Sequence, residues 1–515
     1  MKTSKVIIIL ILICAVFLAS CRDYLDTKPI TEQIQQAQDP IPNAQDAENK
    51  LGAIYTQLGL DRVVFDPYTV ADAQADVAYA GGDNPNNFQQ DEHRTLTTNT
   101  NVLRDWDHYY NIIFRCNILI NNVSHVNGLS EERKKEIKGA ACLFRAYFYF
   151  LMARFWGEVP IVTTSVTSIN SDNFDQIYKD LFPPKSPLDA IYNLMVRDLE
   201  YAKDNTPLCN DANSLLANRG GAYALLAKVY ATWPGKQDWD KVIEYCDRAA
   251  AGRALVPKFD DLFNRTDGTN EGNSEGIWVV NGYNQPLGGP RISINLHFGT
   301  QYKKFNTPSH ALHQAYLDEN DAQRLYSTII FSDQVDALYP NVPGTLYAGI
   351  FEFVPVVSWS DPYWPSDKFP FAHKFRVPIN NQNLYWFRLS DILLLKAEAL
   401  MNKGELVRSA EFVNQVRRRV NLPDLTFMDK QDAINKILKE RFLELAYEGH
   451  RWHDLKRMLS PEAMIQWLQS EKYKNKEGRW VSFPYGSNLT PHRLLLPIPQ
   501  VALDTNPNLV QNPGY

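Results

Sequence analysis

Cys21 is the first side chain whose setting specifies a reaction. Lys2 and Lys5 precede an apolar run from Val6 to Phe17, and Leu18-Ala19-Ser20 brings small residues directly before the cysteine. That order is a bacterial lipobox: residues 1–20 are a signal peptide, and the thiol of Cys21 takes the lipid after cleavage. The run would span only ~18 Å as a helix, short of a ~30 Å hydrocarbon core, so it reads as a cleaved signal. Further along, Glu444 and Glu448 stand four apart, a spacing that could pair two carboxylates for acid and base work. Arg441 and Arg451 flank them at i,i+3, and the favoured reading is a partly buried salt-bridge network locking the last long helix to its neighbours. His310 and His313 can share a helix face, but a zinc site needs a third ligand and the nearby sequence offers none. Asp260, Asp261, Asp267, Asn270, Glu271, Asn273 and Glu275 crowd a glycine-rich turn. Its spacing is not that of an EF-hand; Asp267, Asn270 and Glu271 are the candidate calcium ligands, and a solvated turn is the alternative.

H-E-x-x-H, G-x-S-x-G, Walker and G-x-G-x-x-G patterns are all absent. The residues thus single out no catalytic group and no organic cofactor, and a structural calcium at Asp267, Asn270 and Glu271 is the one metal they leave open. Losing Lys2 and Lys5 with the signal moves the formal charge from −6 to −8, and an acidic chain without basic runs does not suit nucleic acid. Of six cysteines, Cys14 leaves with the signal and Cys21 carries lipid; Cys116, Cys142, Cys209 and Cys246 read as buried free thiols. Aromatic residues reach 12%, with eleven Trp and twenty-six Tyr. Many lie outside helical patterns, where flat faces suit partners such as sugar rings.

The elements that must position these residues are mostly helices. Arg22 to Asn43, with Pro29, Pro40 and Pro42, is an extended tether (residues 21–43 with the lipidated cysteine). Ala44 to Leu58, Leu103 to Val123, Glu131 to Trp156, Pro187 to Ala202, Leu215 to Trp233 and Trp239 to Ala251 carry apolar residues at helical spacing. Ser130 caps the third, Glu131 and Glu132 suit its first turn, and Gly157 and Pro160 end it. Residues 255–386 are rich in Gly, Pro, Asn and aromatics, with strand-like runs at Gly276 to Val280 and Leu346 to Val357; a loop region this long points to function. Helical spacing returns at Phe387 to Met401, Leu406 to Val420 and Asp429 to Met458, followed by an irregular tail, 460–515. Small and aromatic positions at Ala227, Tyr230 and Ala249, and at Ala397, Leu400, Gly404 and Ala410, mark two helix pairs similar to tetratricopeptide hairpins.

The segment Glu440-Arg441, Glu444-Leu445, Glu448-Gly449, Arg451, Asp454-Leu455 and Arg457 resembles the E-R-x-x-E-L-x-x-E-G-x-R-x-x-D-L-x-R pattern of the SusD/RagB family of nutrient-binding outer-membrane lipoproteins. Leu496-Pro497-Ile498-Pro499 with Asn506-Pro507 and Gln511 to Tyr515 is similar to that family's closing signature. Arg145-Ala146-Tyr147 through Gly157-Glu158-Val159-Pro160, Arg388 to Asp391 with Ala397-Glu398-Ala399, and Cys21 through Asp26 match further blocks. The resemblance implies a mostly α fold: one domain over 44–515 whose tetratricopeptide-like scaffold (44–254 and 387–459) carries long ligand-facing loops. It also implies a non-catalytic binder of oligosaccharides at the cell surface, lipid-anchored to the outer membrane, acting as a lid on a TonB-dependent SusC-like transporter. Peptide uptake is the alternative and a surface glycosidase a third reading.

The matched blocks name no ligand contacts, so these are sought in the loops. Tyr79, Asp83, Asn84, Asn86 and Phe88 combine aromatic faces with amides and an acid that hydrogen-bond hydroxyls. Tyr283 and Asn284 follow the strand ending at Val280; Trp359, Asp361, Tyr363 and Trp364 form a dense aromatic cluster. These three loops are expected to make one aromatic-lined platform, whereas Trp106, Trp156 and Trp452 fall in helices and belong to the core.

Overall fold

The computed structural model describes residues 41–58, 63, 66–81, 84–164, 174–210, 215–263, 272–280, 306–331, 334, 363–364, 368–375, 383–475 and 477–515. Cys21, the signal, most of the tether and the strand-like run at 346–357 lie outside them.

Among these residues the helices are α1 (Ala44–Leu58), α2 (Asp66–Ala73), α3 (Pro85–Asp91), α4 (Thr100–Asn122), α5 (Glu131–Trp156), α6 (Phe174–Leu181), α7 (Leu188–Asn205), α8 (Arg219–Thr232), α9 (Trp239–Ala250), α10 (His310–Asp318), α11 (Ala322–Thr328), α12 (Leu389–Asn402), α13 (Leu406–Arg419), α14 (Lys430–Glu444), α15 (Arg451–Met458), α16 (Pro461–Gln469) and α17 (Gln500–Thr505). Eight short strands pair antiparallel in twos: β1 (Ala78–Tyr79) with β3 (Thr307–Pro308), β2 (Gly276–Val280) with β6 (Leu384–Arg388), β4 (Ile329–Phe331) with β5 (Pro370–Ala372), and β7 (Lys472–Lys474) with β8 (Trp480–Ser482).

The expected caps form. Ser130 Oγ accepts from the Arg133 amide at 3.1 Å, and Gly157 ends α5 at φ +77°, a conformation costly for any residue with a Cβ. From Gly139 to Trp156 nearly every side chain of α5 is buried, so this helix is surrounded, with α4 and α7 against it. Inside that packing Arg145 makes a bidentate pair with Asp198, both contacts 2.7 Å, and a 2.8 Å bond to Asn117.

Helices α8 and α9 pack antiparallel, as do α12 and α13, and the buried Ala227, Ala249, Ala397 and Ala410 keep the pairs close. Gly404, at φ +81°, turns the second pair. The fold is thus mostly α, on a tetratricopeptide-like scaffold. Trp106, Trp156 and Trp452 are buried as expected, in a cluster that includes residues from Ile41 to Leu509.

Three departures have physical causes. Asp429 to Met458 is two helices, because Tyr447 and Gly449 adopt φ of +66° and +71° and break the run. The 255–386 region contains α10 and α11, each begun by a side-chain cap, Ser309 and Asp321. The 460–515 tail contains α16, the β7–β8 hairpin and α17, and its end is stapled to α5: Trp156 Nε1 donates to Pro497 O at 3.0 Å, and Asn512 Nδ2 donates to the carbonyls of Trp156 and Leu496, both 2.9 Å.

Candidate functional site

The break after α14 explains the charged motif. Glu444 and Glu448 converge on one guanidinium: Arg388 reaches Glu444 Oε1 at 2.5 Å and Glu448 Oε2 at 2.6 Å, and also Glu275 at 2.8 Å. Arg419 and Arg324 complete the shell of Glu444, and Lys374 donates to Glu448 at 2.9 Å. Burial pushes the Glu444 carboxyl up, but Arg419, Arg388 and Arg324 outweigh it and hold the group well below the usual carboxylate range. Arg441 bridges Asp454 (2.7 Å) and Asp391 (2.8 Å). The expected i,i+3 surface pairs are therefore corrected: Arg441 and Arg451 turn inward, Arg451 to Asp76 at 2.6 Å, and all four side chains are buried. Acidic groups this fully paired, with no access for substrate, hold the fold together.

The calcium candidates Asp267, Asn270 and Glu271 lie outside the described residues. Their described neighbours are engaged internally. Asn273 Oδ1 accepts from the amides of Glu275 and Gly276, Glu275 meets Arg388 and Arg419, and Asp260 accepts from Ser327 at 2.6 Å. His310 and His313 do share α10, but their rings pack on Trp364. His310 stacks at 3.7 Å and 7°, and His313 sits edge-on at 5.9 Å. Burial, with Lys474 and Lys368 nearby, lowers His313 to about 4, so it is neutral at pH 7. Among the described residues no group of three or more His, Cys, Asp or Glu could hold a metal.

Trp364 leads to the molecule's aromatic surface. Tyr363 meets Tyr79 at 4.7 Å, Tyr473 at 4.6 Å and Phe483 at 5.0 Å, and Phe483 continues to Tyr485 at 5.2 Å. Tyr363 also hydrogen-bonds Tyr485, which donates to Asp91. Burial, with nearby Glu92 adding, raises the Asp91 carboxyl well above its usual range; the Ala80 amide donates to it at 3.0 Å. The β7–β8 hairpin pairs Trp480 with Lys474, on the opposite face from Tyr473, and holds it edge-on to His310 at 6.1 Å with the Lys474 ammonium 5.0 Å from its ring. Trp480 is 41% exposed; among the described tryptophans it is the one that is open to solvent. An open indole beside a lysine, on a hairpin that also carries half-buried Tyr473, offers a stacking face with a hydrogen-bonding group next to it.

The expected contacts distribute unevenly over this surface. Tyr79, Tyr363 and Trp364 do come together, but Tyr79 is 2% and Trp364 7% exposed, and the Trp364 face is covered by His310. These two support the surface from below. The amide-rich loop is in part a helix, α3: Asn84 Oδ1 caps it by accepting from the Asn86 amide at 3.0 Å, and Asn86 Nδ2 clasps Thr100 at 2.8 Å. Phe88 is half-buried on the same helix. Asp83, Tyr283, Asn284, Trp359 and Asp361 lie outside the described residues. Tyr473, Trp480, Phe483 and Tyr485 were not anticipated. A signal existed: Gly478, at φ +74° with its amide donating to the Asn475 carbonyl at 2.8 Å, lies between two runs of hairpin composition.

Comparison with known proteins agrees with this architecture. Residues 254–515 match the family model described as the SusD family, and residues 23–231 match one described as starch-binding associating with outer membrane. A SusD-like protein P38 of Formosa agariphila is 26% identical over 425 residues, covering 74% of this chain and 77% of that one. A solved laminarin-binding SusD-like protein superposes with a TM-score of 0.68 at 24% identity, covering 92% of this chain and 100% of that one. Surface glycan-binding protein A of Bacteroides thetaiotaomicron, solved with laminarihexaose, gives 0.69 at 20% identity, with 91% and 99% coverage. The charged motif is a buried lattice, the closing signature staples the long central helix, and one family model spans more than half the chain: the protein belongs to the SusD/RagB family.

Proposed function

We propose that the chain captures oligosaccharides at the cell surface without catalysis and passes them to a TonB-dependent SusC-like transporter. Lipid on Cys21 holds it to the outer membrane, and the following tether lets it move as a lid. The observation that carries the reading is the open Trp480, beside Lys474 on the same hairpin whose other face joins Tyr473 to the Tyr363, Phe483 and Tyr485 rings. Sugar rings present C–H faces to such indoles while their hydroxyls bond to neighbouring polar groups. The fold supports it as well, since two of its solved neighbours are described with laminarin or laminarihexaose. The fully paired state of Glu440, Glu444 and Glu448 supports a binder over a glycosidase, which needs an accessible carboxyl pair.

Isothermal titration of the full chain in detergent, with laminarihexaose, a panel of other oligosaccharides and a peptide mixture, tests this. The expected result is saturable binding of at least one oligosaccharide with no shortened product by chromatography. Binding of peptides alone, or release of cleaved sugar, overturns the reading.

A further inference from the structure

A cavity of about 330 Å³ opens on the helical side and shares no residue with the aromatic surface. Leu188, Tyr192 and Pro234 give it carbon surface; Arg154 of α5 and His453, Lys456 and Arg457 of α15 give it nitrogen. The charges do not balance locally. Arg457 is satisfied by Glu398 at 2.7 and 2.8 Å and Asp454 at 2.9 Å. Lys456, in contrast, donates only to the neutral carbonyls of Arg154 and Leu494, both at 3.0 Å. The Arg154 guanidinium lies 4.2 Å over the Phe150 ring, and its buried Nε has no acceptor. His453 is 5% exposed, and neither ring nitrogen has a partner. Among the described residues no carboxylate pairs with Arg154 or Lys456. Burial and the facing Arg154 charge push the Lys456 ammonium down to about 8, and burial lowers Arg154 to about 10.

Unpaired cations against a low-dielectric wall are costly unless an anion joins them. Arg154 and Lys456 both line this one space, and a guanidinium with an ammonium supplies the donors that the oxygens of a carboxylate or sulfate take. We propose that this cavity is a binding site for an oxyanion, a carboxylate or sulfate group, on a ligand of about one sugar ring. A volume near the lower end of small-ligand cavities, about 300–1,000 Å³, sets that size. The inference stands apart from glycan capture at Trp480.

The full chain in detergent and chloride buffer, titrated with glucuronate, glucose and inorganic sulfate, tests it. Glucuronate is expected to bind saturably and at least tenfold tighter than glucose, and Arg154→Met and Lys456→Met each to weaken it at least tenfold. Trp480→Ala leaves it unchanged. Sulfate that binds and competes with glucuronate shows that the oxyanion alone suffices; glucuronate without sulfate shows that the ring is needed as well. Should Arg154→Met not fold, Lys456→Met carries the reading, and unaltered affinity there overturns it. Absence of saturable binding by both anions in the unsubstituted chain also overturns it.

Discussion

The charged lattice around α14 and the aromatic surface around β8 solve opposite problems with opposite materials. In the first, Glu275, Arg388, Glu444 and Glu448 are removed from water and each finds its partners inside the chain. In the second, apolar rings that could have been buried are left half open, and Trp480 has a face toward solvent. Buried charges tolerate no loose partner, so that region fixes one geometry and has nothing left to offer a ligand. Exposed rings are individually replaceable for folding, so that region is free to serve recognition. The contrast breaks if a lattice residue can be removed cheaply. Arg388→Met takes one cationic partner from each of three buried carboxylates, Glu275, Glu444 and Glu448, and is expected to lower unfolding stability by about 3–5 kcal/mol. Urea unfolding measures it, and a loss below about 1 kcal/mol would refute the role assigned to the lattice.

Trp364 tests where the boundary between the two regions runs. Being 7% exposed, stacked on His310 and donating from Nε1 to Pro308 O at 3.2 Å, it belongs with the core despite its place in the aromatic cluster. Trp364→Ala is expected to cost about 3 kcal/mol or more through the cavity it leaves. Thermal unfolding within a degree of the parent would move Trp364 to the binding side.

How far each region could be read in the sequence follows from the same contrast. The lattice was visible because α14 and α15 bring many of its charges into one stretch, Glu440 to Arg457, at helical spacing. Even so, its partners Glu275, Arg324, Arg388 and Asp76 come from remote segments, and no periodicity reveals that Glu444 meets Arg388 rather than Arg441. The surface is assembled from Tyr79, Tyr363 and the hairpin Lys472 to Ser482, separated by more than a hundred residues each. Composition shows that aromatics are abundant, not which of them the packing leaves uncovered. Helix ends were legible where a cap is local, as at Ser130 and Gly157. The break at Tyr447 was not, since a left-handed backbone at a tyrosine has no signal in the residue type.

Acid separates the regions further. Burial first of all, with Lys228 adding and Asp391 opposing, lowers His450 to about 3. In the unfolded chain it takes a proton near 6.5. Below pH 6.5 the unfolded state therefore holds one more proton, and stability present above 6.5 is lost as pH falls toward 3. Down to pH 5 this amounts to about 2 kcal/mol. His450→Gln is expected to lose about 2 kcal/mol less than the parent between pH 7 and 5. Asp72, Asp91 and Glu471, whose carboxyls burial raises, work in the opposite sense but equally in both chains. Parallel losses would show that His450 titrates in the folded state.

The smallest effect on the fold should accompany a clear effect on recognition. Trp480 leans on His310 only by its edge and carries Lys474 over one face, so truncating it removes little internal contact. Trp480→Ala is expected to change unfolding stability by no more than about 0.5 kcal/mol. It should weaken oligosaccharide binding at least tenfold, which is about 1.4 kcal/mol. Lys474→Met sharpens the result: keeping the indole while removing the neighbouring ammonium should weaken binding less than removing the indole, if stacking outweighs the polar contact. Titration and thermal unfolding on the same samples decide between the two sides. A destabilised Trp480→Ala chain would make the indole part of the scaffold, and a stable chain with undiminished affinity would place the ligand elsewhere.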